Sequence, residues 1–98
     1  MNLLTKAIRK QLPSLNANEA IGLEAKVIVK FFNPSGAGTW YATEYDGEDT
    51  FFGLVDLQIK ELGYFSLSEL QSLRCPPFGL GIERDLYFKS CTLQSLMP

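Results

Sequence analysis

No histidine occurs anywhere in the 98 residues of the chain. That absence removes Ser-His-Asp and Cys-His catalysis, histidine acid-base work and every zinc site that needs a histidine. Cysteine is scarce, with Cys75 and Cys91 alone. A disulfide-built secreted domain of this size would usually carry four or more. No C-x-x-C spacing exists either, so both thiols are expected to be unpaired structural cysteines, with Cys75 partly exposed before Pro76-Pro77. Long apolar runs are missing, and no stretch approaches the roughly 18 residues of a membrane span. Charge of one sign is not in excess: the net value is −2, which argues against a basic surface for nucleic acid. The opening residues place Lys6, Arg9 and Lys10 after a short apolar patch, the reverse of a secretory signal, so a cytoplasmic protein is expected.

What is present reads as one folded domain over residues 1–98. A hydrophobic share of 46% against 20% charged residues excludes disorder and supplies one core. Leu4, Ile8 and Leu12 fall four apart and predict a helix, capped by Thr5 or Asn2 and stopped by Pro13. Lys6, Arg9 and Lys10 lie off that stripe on a solvated face. Residues 14–22 read as a connector. In residues 24–31 the period becomes two, with Ala25, Val27, Val29 and Phe31 apolar and Glu24, Lys26 and Lys30 charged: a half-buried strand with one wet face.

The run 33–38 is turn material. Strands are expected at 39–45 and 50–55, joined through the tight turn Asp46-Gly47, with Gly53 marking a bulge or a close packing contact. Residues 60–65 read as a fourth strand. Ser66-Leu67-Ser68-Glu69 fits a capping box that opens a short helix to about Leu73, with Glu69 reaching back. Residues 74–81 form a breaker-rich loop, residues 85–89 a fifth strand, and Ser90 or Thr92 caps a last turn of helix through Leu96. The sum is an α+β domain: an antiparallel meander sheet of four to five strands with an N-terminal helix and one or two short helices.

Charge is uneven along the chain. Residues 31–70 hold one basic and seven acidic side chains, a net −6, centred on Glu44, Asp46, Glu48, Asp49 and Asp56. Three readings compete for this block. Hairpin tips face water and Asp-Gly is turn chemistry. A basic protein surface could dock there. A divalent cation could use several of these oxygens, although the spacing is not that of a calcium loop. The aromatics Trp40, Tyr41, Tyr45, Phe51, Phe52, Tyr64 and Phe65 fall on the predicted sheet. Strict alternation puts Trp40 on one face and Tyr41 with Tyr45 on the other, one set filling the core and the other open to a partner. A single-stranded nucleic-acid platform would need lysines and arginines nearby, and the neighbouring charges are acidic. No phosphate-binding loop, nucleophile elbow or Walker lysine is present.

The stretches Trp40-Tyr41-Ala42-Thr43-Glu44-Tyr45-Asp46-Gly47-Glu48-Asp49-Thr50-Phe51-Phe52-Gly53-Leu54-Val55, Leu3-Leu4-Thr5-Lys6, 61–70 and 82–88 together resemble an uncharacterised family of small bacterial proteins, domain of unknown function 2958. The resemblance covers nearly the whole chain. It implies a bacterial cytoplasmic protein carried by plasmids, integrative elements or phages, and it brings no catalytic residues with it.

The expectation is therefore an accessory protein that binds another protein rather than catalysing a reaction, on a mobile element, against a host defence or DNA-processing protein. Its partner-binding edge is expected at Trp40, Tyr41, Glu44, Tyr45, Asp46, Glu48 and Asp49. No cofactor, membrane contact or strong nucleic-acid binding is expected. The alternative is a small divalent-metal-dependent hydrolase using Glu44, Asp46, Asp49 and Asp56.

Overall fold

The computed structural model describes residues 2–97; Met1 and Pro98, the ends of the expected single domain, lie outside the described residues. The elements in chain order are α1 (Lys6–Gln11), a 3-10 turn (Gly22–Glu24), β1 (Lys26–Val27), β2 (Val29–Phe32), β3 (Thr39–Tyr45), β4 (Thr50–Asp56), β5 (Lys60–Ser66), α2 (Leu67–Ser72), β6 (Arg74–Cys75), β7 (Leu80–Gly81), β8 (Glu83–Arg84), β9 (Cys91–Thr92) and α3 (Leu93–Leu96). β2 to β5 form the antiparallel meander, and β8 adds beside β2, giving a five-stranded sheet in the order β5-β4-β3-β2-β8. The small pairs β1-β9 and β6-β7 stand outside it. The mixed α+β class and the antiparallel meander thus stand as the sequence pattern indicates.

Apolar side chains are buried on both faces of the sheet. On one, Phe31, Trp40, Ala42, Tyr45 and Phe51 pack with Leu3, Leu4 and Leu12 around α1 and with Leu67 and Leu70 of α2. On the other, Leu54 packs with Ala25, Val27 and Leu93, and Tyr41, Phe88 and Cys91 lean on that group. Each fully buried Phe or Leu contributes about 2 kcal/mol of transfer free energy, so two modest cores hold the sheet from both sides. Thr5 caps α1 by accepting the Ile8 N–H at 3.2 Å, and Thr92 caps α3 by accepting the Ser95 N–H at 3.3 Å.

Four expectations are corrected. First, residues 24–31 are not one strand with one face. The chain bends at Ile28, whose N–H goes to Ala42 O at 2.9 Å, so Ala25 and Val27 enter one core and Val29 and Phe31 the other. The period-two pattern persists because each half is buried by a different partner. Second, Tyr41 and Tyr45 do not share a face. The β3-β4 register runs Ala42↔Gly53 and then Glu44↔Phe52, leaving Thr43 as an extra residue. A bulge flips every later side chain, so Tyr45 joins Trp40 in the α1 core while Tyr41 stays opposite.

Third, residues 85–89 are not a strand. The Asp85 carboxylate accepts the Tyr87 N–H at 2.9 Å and pairs with Lys30 at 3.5 Å, turning the chain locally. The pairing falls instead to Glu83–Arg84 and Cys91–Thr92. Fourth, Cys75 is buried, because the breaker-rich loop closes as the β6-β7 hairpin, with a cis bond between Pro76 and Pro77, and tucks its thiol against the α1 core. Both cysteines are free.

Candidate partner-binding surface

The seven residues expected to form a partner edge do not lie together on the surface. Trp40 and Tyr45 are core residues, and the Tyr45 ring lies tilted with its centroid 4.6 Å from that of Phe51 and the Arg9 guanidinium 5.6 Å above it. Burial pushes the Tyr45 hydroxyl up, opposed by Arg9 and assisted by Asp46, Asp49 and Glu48. Tyr41 is half-buried, with Phe88 at 6.4 Å and Lys30 at 5.8 Å from its ring. Its hydroxyl is also raised, by burial first and then by Asp56, Cys91 and Asp85.

Glu44 is buried, and its carboxylate organises the connector. Oε1 accepts the Asn16 N–H at 2.8 Å and Oε2 the Asn18 N–H at 2.9 Å. A desolvated carboxylate needs such donors, and two backbone N–H groups supply them in charge-assisted bonds. Asn18 then donates from Nδ2 to Thr43 O at 3.3 Å, tying the connector to the bulge.

The hairpin tip is similarly committed. Asp46 Oδ1 accepts the N–H groups of Glu48, Asp49 and Thr50 at 2.8, 2.8 and 3.0 Å, and these bonds hold its carboxyl below the usual range. Asp49 reaches across to the start of α2. Its Oδ2 accepts from Ser66 Oγ at 2.6 Å and Ser68 Oγ at 2.8 Å, and its Oδ1 from the Ser68 N–H at 2.8 Å. Those bonds, the hydroxyls first, lower its carboxyl as well. Ser66 caps α2 as expected, accepting the Glu69 N–H at 3.3 Å, but it is Asp49, not Glu69, that supplies the second capping group. Of the tip carboxylates only Glu48 has no hydrogen-bond or ion-pair partner among the described residues. No group of three His, Cys, Asp or Glu side chains suited to a metal ion occurs among the described residues, so Glu44, Asp46, Asp49 and Asp56 do not converge.

A different surface does assemble. β5 is the edge strand of the sheet, paired with β4 over its full length from Lys60 to Ser66, and no strand pairs with its outer side among the described residues. Leu62 and Tyr64 project from it on one face at 44% and 62% exposure, beside Phe52, whose ring lies 5.1 Å from that of Tyr64. They rim a cleft of about 390 Å³ whose floor is Thr43, Glu44 and Phe52 and whose far wall is Asn16, Asn18 and Leu23. The connector that Glu44 holds in place is therefore the wall of this cleft. A second, shallower cleft of about 380 Å³ lies along the same strand, lined by Trp40, Val55, Tyr64, Phe65 and Glu69. Among the residues lining the two clefts the ionisable carboxylates are Glu19, Glu44 and Glu69, and neither lining contains a lysine or arginine.

Asp49 bonds to Ser66 and Ser68, so the acidic tip abuts the end of β5, and tip and strand form one continuous margin. Leu62 and Tyr64 were not among the expected site residues because their exposure depends on β5 being an edge. The signal was the capping box at Ser66: a helix that starts where the strand stops leaves no hairpin to cover the strand's outer side. Other exposed apolar residues, Phe78 at 78% and Tyr87 at 91%, sit separately on the β6-β7 hairpin and the turn after β8.

No curated protein and no solved structure matches the chain. Residues 3–96, nearly all of it, match one family model, and the chain accordingly belongs to the family described as Protein of unknown function (DUF2958).

Proposed function

We propose that this domain acts by binding a protein partner at the β5 margin and catalyses nothing itself. The observation that carries this reading is the pair Leu62 and Tyr64, exposed on an edge strand above an apolar cleft with acidic surroundings. Exposed aromatic and aliphatic side chains beside a cavity give a desolvated anchor, and a charged rim gives orientation. The rim is acidic, so the partner surface is basic. Long-range attraction would steer it, with Glu48 and the tip contributing to the field without making the anchor contacts. Strong nucleic-acid binding is incompatible with that sign of charge. In the setting that the family resemblance suggests, the bacterial cytoplasm and a plasmid or phage, such a domain would sequester or redirect a host defence or DNA-processing protein.

The test compares the tagged chain with its Leu62→Ser, Tyr64→Ser double variant as bait in bacterial host extract. The wild type should retain a specific protein with a basic surface, and the variant should lose it while keeping a native circular dichroism spectrum and melting point. Retention of the same protein by the variant, or no specific partner at low ionic strength, contradicts the reading.

A further inference from the structure

Resting on that reading, we infer that the partner supplies an extended segment of alternating apolar and basic side chains, added as a sixth strand along the outer side of β5. Three features of the margin converge on this. β5 offers seven residues of unpaired edge, whereas β8 at the opposite edge offers two. An edge of that length and exposure is a template for strand addition, and nothing among the described residues covers it. A strand's side chains alternate between faces, and β5 has a cleft on each side with Tyr64 bordering both. One set would therefore meet Leu62, Tyr64 and the apolar cleft, and the other would meet the cleft that carries Glu69.

Charge selects the occupant. Of the cleft carboxylates Glu44 is committed to the connector, which leaves Glu19 and Glu69, and β5 itself adds Glu61. The one cation on the strand, Lys60, already donates from Nζ to Leu96 O at 2.7 Å, at the end of α3. With the apolar side chains of the added strand set against Leu62 and Tyr64, its lysines or arginines would face Glu61 and Glu69 on the other side of β5. A second copy of this chain would bring the same carboxylates face to face, and like charges at a shared edge oppose pairing.

The probe is a synthetic eight-residue peptide of four Val-Lys repeats. Its comparators are a peptide of the same composition with valines and lysines in separate blocks, a Val-Glu repeat, and the Val-Lys repeat N-methylated through its centre. Anisotropy at low salt should show the first binding at least tenfold more tightly than each comparator, and amide exchange in β5 should slow when it binds. N-methylation leaves the side chains and removes the backbone donors, so it isolates strand pairing from charge attraction. Equal binding of the N-methylated or block peptide, or unchanged β5 exchange, overturns the inference. So does β5 protection that grows with protein concentration in the absence of peptide, which makes a second copy the occupant. If the Leu62→Ser, Tyr64→Ser variant loses its captured partner but the peptide series shows no preference, strand addition fails and the protein-binding reading stands. If the captured partner also persists with the variant, both fail.

Discussion

Gly53 shows how tightly single positions are set in this domain. A Cβ built on it would lie 1.8 Å from Tyr41 O, directly across from the Thr43 bulge. The strands approach closely there because no side chain intervenes, and that approach lets the bulge form without splitting β3 from β4. Gly53→Ala must push backbone against backbone, at a cost of about 3 kcal/mol. For a domain of this size the melting temperature should fall by about 10–20 °C, as read by calorimetry. The glycine was legible in the sequence as a bulge or close contact, since an isolated glycine inside a strand has few other uses. Its consequence was not legible: one extra residue at Thr43 reverses the faces of Glu44 and Tyr45, and no side-chain pattern announces which residue is extra. Glu44 shows the same limit. A glutamate near a hairpin tip reads as solvated, but the connector, 26–28 residues away in sequence, closes over it and bonds to its carboxylate.

Among the elements, those set by local chemistry were legible and those set by partners were not. Thr5, Ser66 and Thr92 each accept an N–H bond three residues on, as side chains suited to capping do wherever the chain turns helical. The meander from β2 to β5 follows from short turns between apolar runs. The split of β1 from β2, and the placing of β8 and β9, depend on which distant strand is available, which periodicity does not encode. α2 joins the two kinds of information, because its start is held both by its own Ser66 and by Asp49 from the preceding hairpin. This link makes a pH prediction. Hydrogen bonds lower the Asp49 and Asp46 carboxyls in the folded state, whereas in the unfolded chain they titrate near an ordinary value of about 3.9. Their contribution to stability is therefore complete above about pH 4 and is lost as pH falls through the lowered folded values. Urea midpoints of the wild type should drop most steeply below about pH 4. Asp49→Asn should lower the midpoint at pH 7 and flatten that acid drop.

For the molecule as a whole, one face of the sheet is covered, the other is covered in part, and among the described residues no strand lies beside the long edge at β5. α1 and α2 close one face, and β1, β9 and α3 close part of the other, leaving the cleft beside β5 and the strand's outer side open. The net charge of −2 conceals an acidic segment over residues 31–70, of which Glu61 lies on the open edge strand and Glu69 on the helix after it. The sequence pattern showed the acidic sign of this region and its aromatic content, but not that Leu62 and Tyr64 of the strand after the Asp46 hairpin stay exposed while Trp40 and Tyr45 are buried. The most direct measurement is amide hydrogen exchange across the whole chain, alone and with the captured partner. Protection should appear in Lys60–Ser66 and in the connector wall at 16–19, with the interior of β3 unchanged. Protection confined to the β6-β7 hairpin and the turn at Leu86 and Tyr87, with β5 exchanging as before, would contradict the account.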